Sequence, residues 1–391
     1  MDCANLWKFV LIMCVVAPDS AQETQLQAHL EHFDGVRNPM AATDEPRLEA
    51  RRYIKDKFRE LGLNVHSQTF NTVLKPLYEE RTVTGENIVG VAAGTVGGPV
   101  VVVGADYDTP LQSSPLEDNG AGVAALLEVA RHFMHETARG GSFEQLNTVV
   151  FVAFDLNVKT YGNNHPGKPG SYHFLHQWLW PYINQTSNNF AGAIILDSIT
   201  KFSTQFDSQY VLQEFKDAFP KAASSIANSG NKGDFLAMFT REDSRSIHLA
   251  NTFTANYEKD RKARMFRLQP MPVRDGLSFV GVLEMFNHQS HYPFWSFRPS
   301  EELVPLPALL LTDTDVYRMS MDVCDRPCTP AAFLTRGREG FITKAIDAVT
   351  NTLLNLQTKR LPVSATSGGA GGTTTPLLFI TCIAVISRII L

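Results

Sequence analysis

Apolar and polar residues along this chain follow two periodicities, that of helices and that of strands. Over residues 46–61 the apolar positions recur every three or four residues with charged positions between them, which predicts an amphipathic helix that ends at Gly62. The apolar side of this helix consists of Ala50, Ile54, Phe58 and Leu61. Helices are also predicted over 119–135, 171–180 and 338–357.

Short apolar runs between these segments predict strands. Four runs are apolar throughout, which is typical of strands buried on both faces: 99–105, 148–154, 191–196 and 307–311. Two further strands are predicted over 65–70 and 87–91. Buried strands that alternate with amphipathic helices predict an α/β fold, a three-layer α/β/α sandwich around a mostly parallel mixed sheet. No internal repeat or long linker precedes Leu361, so residues 22–360 are predicted to form one domain.

Composition and charge limit the classes of function. Hydrophobic residues make up 44% of the chain and charged residues 19%, so a large core is expected and a mostly disordered chain is excluded. The net charge is −5 and no basic block occurs, so the sequence offers nucleic acid no electrostatic binding surface.

The N-terminus has the layout of a secretory signal. Residues 6–17 are apolar apart from Lys8, and this run is too short to span a membrane well. We expect residues 1–21 to be a signal peptide that is cleaved near Ala21. The alternative is a buried N-terminal helix.

The C-terminus has the layout of a GPI-attachment signal. Residues 361–375 form a linker rich in small residues, and residues 376–391 form a short apolar tail. Ser364 is the predicted attachment site because it leaves a polar spacer of suitable length, and Ser367 is the second choice. The predicted location is therefore the extracellular face of the plasma membrane, with the GPI lipid as membrane anchor. The alternative is a weak tail anchor or a disordered end.

Two cysteines remain once both processed ends are removed, namely Cys324 and Cys328. Their spacing permits a disulfide across a short loop, as expected in a secreted protein. It also permits metal binding, but no further cysteine would complete a thiolate site. The sequence Asn184-Gln-Thr is an N-glycosylation sequon, and we expect Asn184 to lie on a surface loop.

Acidic residues follow three of the four buried strands. Asp106 and Asp108 follow the first, Asp155 follows the second and Asp197 follows the third, while Asp118 opens the helix predicted after the first strand. The carboxyl ends of parallel strands lie at one edge of a sheet, so these carboxylates are expected to converge there. Such a group of carboxylates normally binds cations.

The segment around these acids resembles a known family. The chain is similar to secreted zinc-dependent aminopeptidases with two co-catalytic metals in its segment GADYDTPLQSSPLEDNGAGVAALLEVAR. Relatives of that family include glutamate carboxypeptidases, glutaminyl cyclases and the transferrin receptor ectodomain. The resemblance continues through FVAFDLNVKTYG, IILDSIT, SHYPFW and VPLPALLLTDTD, and covers about residues 40–320. It implies a zinc-exopeptidase-like fold with a metal site at the strand ends.

The resemblance implies a ligand set of which this chain keeps a part. Asp118 matches the aspartate that bridges the two metals, and Asp197 matches a further aspartate ligand. Asp108 matches the aspartate that orients the first ligand. That first ligand is a histidine in the family and is Asp106 here.

Other expected site residues are replaced or missing. The family places a general-base glutamate and a glutamate ligand after the second buried strand, whereas this chain has Asn157 and Val158 there. A final histidine ligand is expected after the fourth buried strand, but residues 317–324 contain no histidine.

These departures predict the loss of peptidase chemistry. Asparagine cannot accept a proton at neutral pH, so Asn157 cannot act as a general base, and losing such a base lowers a rate by a factor of about 10²–10⁴. Loss of the metals would also remove the Lewis acid and the activated water. We therefore expect no cofactor, and a cell-surface pseudopeptidase that binds an unidentified protein or peptide.

Two enzymatic alternatives stay open. The first is an active metallo-exopeptidase whose rearranged site holds zinc, in which Asp155 or a histidine takes the place of a lost group. The histidines in range are His165, His173, His176, His288 and His291. The second and weaker alternative is a cyclase-like acyl transferase, which also requires a metal.

Without zinc, the converging carboxylates need another compensation. Close carboxylates raise one another's pKa values, and they cannot all ionise without a large penalty. A nearby Lys or Arg side chain is the expected compensation. Protonation is a second solution, and a hard cation such as calcium or magnesium held by the aspartates is a third.

Overall fold

The computed structural model describes residues 25–74, 80–111, 114–157, 167–186, 188–259, 265–273, 286, 289–313 and 328–361. The chain divides into a unit from Met1 to Arg360 and a short unit from Leu361 to Leu391, and the helices and strands described below all belong to the first. The predicted signal peptide, the apolar tail and the linker with Ser364 lie outside the described residues, apart from Leu361. These assignments therefore stay predictions.

The strands of the described residues are, in chain order, β1 (Asn64–Leu74), β2 (Arg81–Ala92), β3 (Val100–Asp106), β4 (Phe143–Gln145), β5 (Val149–Phe154), β6 (Phe190–Asp197), β7 (Phe235–Arg241), β8 (Arg267–Val273), β9 (Ala308–Thr312) and β10 (Thr358–Arg360). Eight of them form one sheet in the order β1-β2-β5-β3-β6-β9-β7-β8. The other two, β4 and β10, form a small antiparallel ribbon.

The α-helices are α1 (Gln25–Leu30), α2 (Glu45–Glu60), α3 (Ala121–Thr137), α4 (Gly170–Phe174), α5 (Trp180–Thr186), α6 (Gln213–Ala218), α7 (Pro220–Asn228), α8 (Ser244–Tyr257), α9 (Tyr292–Trp295), α10 (Pro330–Phe333) and α11 (Arg336–Gln357). A π-helical segment, Leu116–Gly120, leads into α3, and another, Leu175–Leu179, joins α4 to α5. Within the described part of the chain, no helix is long and apolar enough to cross a membrane.

The centre of the large sheet consists of four neighbouring parallel strands. β5 pairs with β3, β3 with β6 and β6 with β9, all in parallel, whereas β2 and β7 flank this group in antiparallel pairing. The sheet is thus mixed and mostly parallel at its centre, as predicted. Parallel pairing places the carboxyl ends of these four strands at one edge, which is where sites form in such sheets.

Helices cover both faces of the sheet and create two apolar cores. Val101 and Val103 of β3 pack into the core that contains α2, α3, α8 and α11, while Val100 and Val102 pack into the opposite core. Because side chains alternate between the faces of a strand, a strand covered on both sides must be apolar at every position. This explains the unbroken valine run, and the observed layers confirm the predicted three-layer architecture.

The strands β7 and β8 were not among the strands predicted from the sequence. β8 contains Pro270 and Pro272, and proline argues against a central strand because it cannot donate a backbone hydrogen bond. Among the described strands, β8 lies at the edge of the sheet and pairs with β7 alone. Proline at an open edge removes donors that would otherwise recruit a further strand, so it is compatible with this position.

Candidate functional site

Four buried acids mark the carboxyl ends of the four central strands. Asp106 ends β3 and Asp197 ends β6, while Asp155 directly follows β5 and Asp313 directly follows β9. Each of the four is at most 2% exposed. The structure thus brings the first three to one edge, as the sequence indicates. Asp313 is a further member that was not predicted, although its place directly after a buried strand was a usable signal.

Two described residues hold Asp106 through neutral hydrogen-bond donors. The side-chain amide of Asn157 donates to one carboxylate oxygen at 2.6 Å, and the hydroxyl of Ser290 donates to the other at 2.5 Å. All three residues are buried. The residue at the expected general-base position therefore acts as a hydrogen-bond donor toward the residue at the expected first-ligand position. Ser290 was not predicted, because it lies far from Asp106 in sequence.

Asp108 fixes the backbone of the same loop. Both of its carboxylate oxygens accept a hydrogen bond from the backbone N–H of Asn157, at 3.0 and 3.1 Å. Asp108 is buried, and its carboxylate orients the loop after β5 relative to the loop after β3. The resemblance assigns it an orienting role, and in this structure the group it orients is Asn157.

Asn119 connects three parts of this edge. Its side-chain amide nitrogen donates to the backbone carbonyl oxygens of Leu196 at 2.9 Å and Asp106 at 3.3 Å. Its side-chain carbonyl oxygen accepts from the backbone N–H of Ser198 at 3.0 Å. A Cβ atom at Gly122 would lie 2.1 Å from the Asn119 carbonyl oxygen, so the following helix needs glycine there. The run Asp-Asn-Gly-Ala-Gly therefore serves the packing of the strand ends as well as any metal chemistry.

Arg37 is a fully buried cation beside the acids. Its guanidinium donates to the carbonyl oxygens of Tyr107 at 2.6 Å, Gly35 at 2.9 Å and Pro115 at 2.9 Å, and also to that of Phe33. Tyr107 lies between Asp106 and Asp108, and Pro115 directly precedes the segment that carries Asp118. One side chain thus clamps two acid-bearing loops.

The charge of Arg37 acts on the acids it holds in place. Burial lowers the pKa of Arg37 to about 10, while the charges of Asp108 and Asp118 act to raise it. The side chain therefore stays cationic at neutral pH. For Asp108 and Asp118 it is a neighbouring basic group of the kind expected to compensate the carboxylates.

A second basic residue lies at the same edge. The Lys201 ammonium is 2.6 Å from a carboxylate oxygen of Glu117, and both side chains are buried. Asp313 holds this loop by accepting hydrogen bonds from the backbone N–H groups of Thr200, at 2.7 Å, and Lys201. The loop after β6 is therefore fixed by the acid that follows β9.

The proposed replacement of a lost group by Asp155 is not supported by its contacts. Both carboxylate oxygens of Asp155 accept hydrogen bonds from arginine: Oδ2 from Arg47 Nη2 at 2.6 Å and Arg51 Nη2 at 2.7 Å, and Oδ1 from Arg47 Nε at 3.1 Å. Burial acts to raise the pKa of Asp155, but these guanidinium groups lower it below its usual range. The backbone N–H of Glu86 donates to the same carboxylate at 2.9 Å. Asp155 is thus the centre of a structural ion cluster.

The candidate histidines take structural positions where they are described. His173 stacks on Phe70 with ring centroids 4.5 Å apart, and His176 contacts Tyr172 at 4.2 Å. His291 is fully buried between Phe286 and Trp295, and neither ring nitrogen has a hydrogen-bond partner among the described residues. His165 and His288 lie outside the described residues.

The burial of His291 makes stability depend on pH. Burial lowers the pKa of His291 from 6.5 to about 3. Below pH 6.5, His291 therefore binds a proton in the unfolded chain but stays neutral in the folded chain. The contribution of this group to the free energy of unfolding is fully present above pH 6.5 and is lost as the pH falls toward 3. Because of His291, we expect the free energy of unfolding to be about 2.5 kcal/mol lower at pH 4.5 than at pH 7. Denaturant unfolding of His291→Phe should show a flatter pH profile over this range.

The exposed His135 provides the control for this measurement, since its side chain is 80% exposed. His135→Gln should keep the wild-type pH profile. A wild-type profile in His291→Phe as well would contradict an uncharged His291.

The described residues do not fit the two-zinc site that the resemblance implies. Both oxygens of Asp106 are engaged by neutral donors, and an amide stands where the family has a carboxylate. Among the described residues, no group of three or more His, Cys, Asp or Glu side chains is arranged to hold a metal ion. The assignment of Asp106, Asp118 and Asp197 to a non-zinc cation such as calcium stays a prediction.

Two predicted modification sites lie away from this edge. Cys328 packs against the first core, but Cys324 lies outside the described residues, so the predicted disulfide stays a prediction. Asn184 is exposed and lies in α5. The expectation of a surface loop around Asn184 is therefore wrong, since the last turn of a helix presents the sequon.

Comparison with known proteins agrees with this architecture. Residues 87–265 match the model of Peptidase family M28. This stretch is similar to Peptidase family M28. The matched region contains Asp106, Asp108, Asp118, Asn157 and Asp197. No curated protein gave a significant match.

Solved structures extend the likeness in fold over most of the chain. A Tannerella forsythia glutaminyl cyclase is 16% identical with a TM-score of 0.50, and the match covers 85% of this chain and 96% of the cyclase. A zinc-dependent exopeptidase from Parabacteroides distasonis is 14% identical with a TM-score of 0.50, covering 85% of this chain and 97% of the exopeptidase. At such identities the likeness concerns the fold alone.

Proposed function

We propose that this M28-fold protein is a cell-surface binding protein without zinc-dependent hydrolytic activity. A GPI lipid holds it on the outer face of the plasma membrane, and its ligand is a peptide or protein. Because Asp106, Asp155, Asp197 and Asp313 are buried, the ligand contacts the loops around the strand ends rather than these carboxylates.

The hydrogen bond between Asn157 and Asp106 carries this proposal. A hydrolytic site needs a base that takes a proton from water and a metal that lowers the pKa of that water. In this chain the amide at the expected base position donates a hydrogen bond to Asp106, at 2.6 Å. The Asn157 amide and the Asp106 carboxylate are thus hydrogen-bonded to each other. Neutral donors therefore occupy this part of the strand edge.

The positive charges at this edge support the same conclusion. Arg37 lies in the field of Asp108 and Asp118, and Lys201 pairs with Glu117 at 2.6 Å. Buried carboxylates need nearby positive charge, and here basic side chains provide it. The location rests on the sequence alone, on the signal-peptide pattern and on the small-residue and apolar pattern of the last residues.

The full chain should be expressed in mammalian cells and tested for location, metal and activity. We expect phosphatidylinositol-specific phospholipase C to release it from the cell surface, and we expect elemental mass spectrometry of the released protein to find no stoichiometric zinc. It should hydrolyse no peptide and cyclise no N-terminal glutamine above the level of an Asp118→Ala variant. Activity that a chelator abolishes and Asp118→Ala removes would overturn the loss of catalysis. Resistance to the phospholipase would overturn only the anchor.

The substitution Asn157→Asp tests the role of the amide directly. It places a second carboxylate 2.6 Å from that of Asp106 with no change in shape. We expect a loss of about 3 kcal/mol of unfolding free energy at pH 7, because two buried like charges then face each other. The loss should shrink at lower pH, where the two groups share a proton.

A matched control variant, together with calcium and zinc titrations, completes the test. Asn157→Ser, which removes the amide without adding charge, is the matched control and should show a smaller loss that does not depend on pH. An Asn157→Asp variant as stable as wild type would show that the amide does not hold Asp106. Strong stabilisation of the wild-type protein by zinc would contradict the closed site.

A further inference from the structure

The sequon Asn184-Gln-Thr186 lies on the last turn of α5, with Asn184 and Thr186 exposed. The Thr186 hydroxyl donates to the Tyr182 carbonyl oxygen at 2.7 Å, which fixes this turn in a helical conformation. A glycan on Asn184 would therefore start from a well-defined position on the helix surface.

Trp180 precedes Asn184 by one helical turn. Residues four apart lie on the same helix face, and the Cα–Cβ bonds of a helix tilt toward its N-terminus. The Asn184 side chain is therefore directed along the surface toward the turn that carries Trp180. Tyr182, two residues from Asn184, faces another direction.

Trp180 is half-buried and has aromatic support beneath it. Its ring packs edge to face against the buried Phe297, with centroids 4.9 Å apart. The side chain as a whole is only partly buried. A supported, partly exposed indole suits the apolar C–H face of a sugar ring, because it offers a large rigid contact area with little loss of side-chain freedom.

We propose that an N-linked glycan on Asn184 packs its first N-acetylglucosamine against the indole of Trp180 and so stabilises the folded protein. The sugar and the indole shield each other's apolar surfaces from water on the outer face of α5. This inference rests on the proposed function, since a chain acquires N-glycans only in the secretory pathway.

A double-mutant cycle on the full chain from mammalian cells tests the contact. The four proteins are the wild type, Asn184→Gln, Trp180→Ala and the double variant. Intact mass should show a glycan that Asn184→Gln removes, and loss of this glycan should lower the Tm by about 2 °C. In the Trp180→Ala background the same loss should change the Tm by no more than the error of the measurement.

Trp178 is the matched control, since it is a half-buried tryptophan of the same helical region on a different face. In Trp178→Ala the effect of the glycan should stay at its wild-type value. Trimming the glycan to a single sugar should keep the effect, because only the first sugar reaches the indole.

The outcomes separate this inference from the proposed function. A protein that reaches the cell surface without a glycan on Asn184 overturns the inference alone, and so does a glycan effect that persists in Trp180→Ala. A protein that never enters the secretory pathway overturns both the inference and the proposed location.

Discussion

Replacing Asp155 by asparagine is expected to lower the free energy of unfolding by about 3–5 kcal/mol, a large fraction of the stability of an ordinary domain. Arg47 and Arg51 both bind this carboxylate, at 2.6 and 2.7 Å, and Asp155 is fully buried. Removing the negative charge leaves two guanidinium groups close together with reduced compensation. Denaturant unfolding measured at pH 7 checks this expectation.

An exposed ion pair of α2 provides the matched control. Asp56 and Arg59 lie 2.7 Å apart, and both side chains are more than half exposed. Asp56→Asn should change the unfolding free energy by less than about 0.5 kcal/mol, because water screens such pairs. If Asp155→Asn were as mild as Asp56→Asn, the structural role of Asp155 would be contradicted, and its candidacy as a rearranged active-site group would return.

Replacing Arg37 by methionine is expected to cost about 3–4 kcal/mol. The methionine side chain fills a similar volume but donates no hydrogen bonds, so the carbonyl groups of Tyr107, Gly35, Pro115 and Phe33 lose their common donor. The charges of Asp108 and Asp118 also lose a neighbouring cation. The loss should appear as a lower midpoint of denaturant unfolding.

Arg37→Lys separates charge from geometry. Lysine keeps the positive charge, but its compact ammonium cannot reach all four carbonyls as the planar guanidinium does. We expect about half of the methionine effect. Full stability in Arg37→Lys would mean that charge alone matters, and full stability in Arg37→Met would contradict the clamp. Arg52→Met, which removes an exposed partner of Glu45, is the control and should be nearly neutral.

Local patterns were enough to predict the class of fold, because they depend on neighbouring residues. A strand covered on both faces must be apolar at each position, so the run 99–105 identified β3 with no knowledge of its partners. The helix predicted over 46–61 is observed as Glu45–Glu60 for the same reason. β8 was missed since its two prolines are acceptable only at a sheet edge, and strand order is not a local property.

The chemistry of the edge could be predicted only in part. Strand ends in a parallel sheet converge, so the positions of Asp106, Asp197 and Asp155 at one edge followed from the sequence. The direction in which each side chain points did not follow from the sequence. Asp155 faces the arginines of α2, a choice that depends on how α2 packs on the sheet.

The sequence by itself determined the alternation of strands and helices and the acids at the strand ends, and it placed Asn157 where the resemblance implies a general base. The tertiary structure alone decided what those residues contact: the Asn157 amide on Asp106, the Ser290 hydroxyl beside it, and the Arg37 clamp across two loops. The reason is physical. Hydrophobic periodicity acts between near neighbours along the chain, whereas a hydrogen bond or an ion pair is set by distances of about 3 Å between residues that only folding brings together.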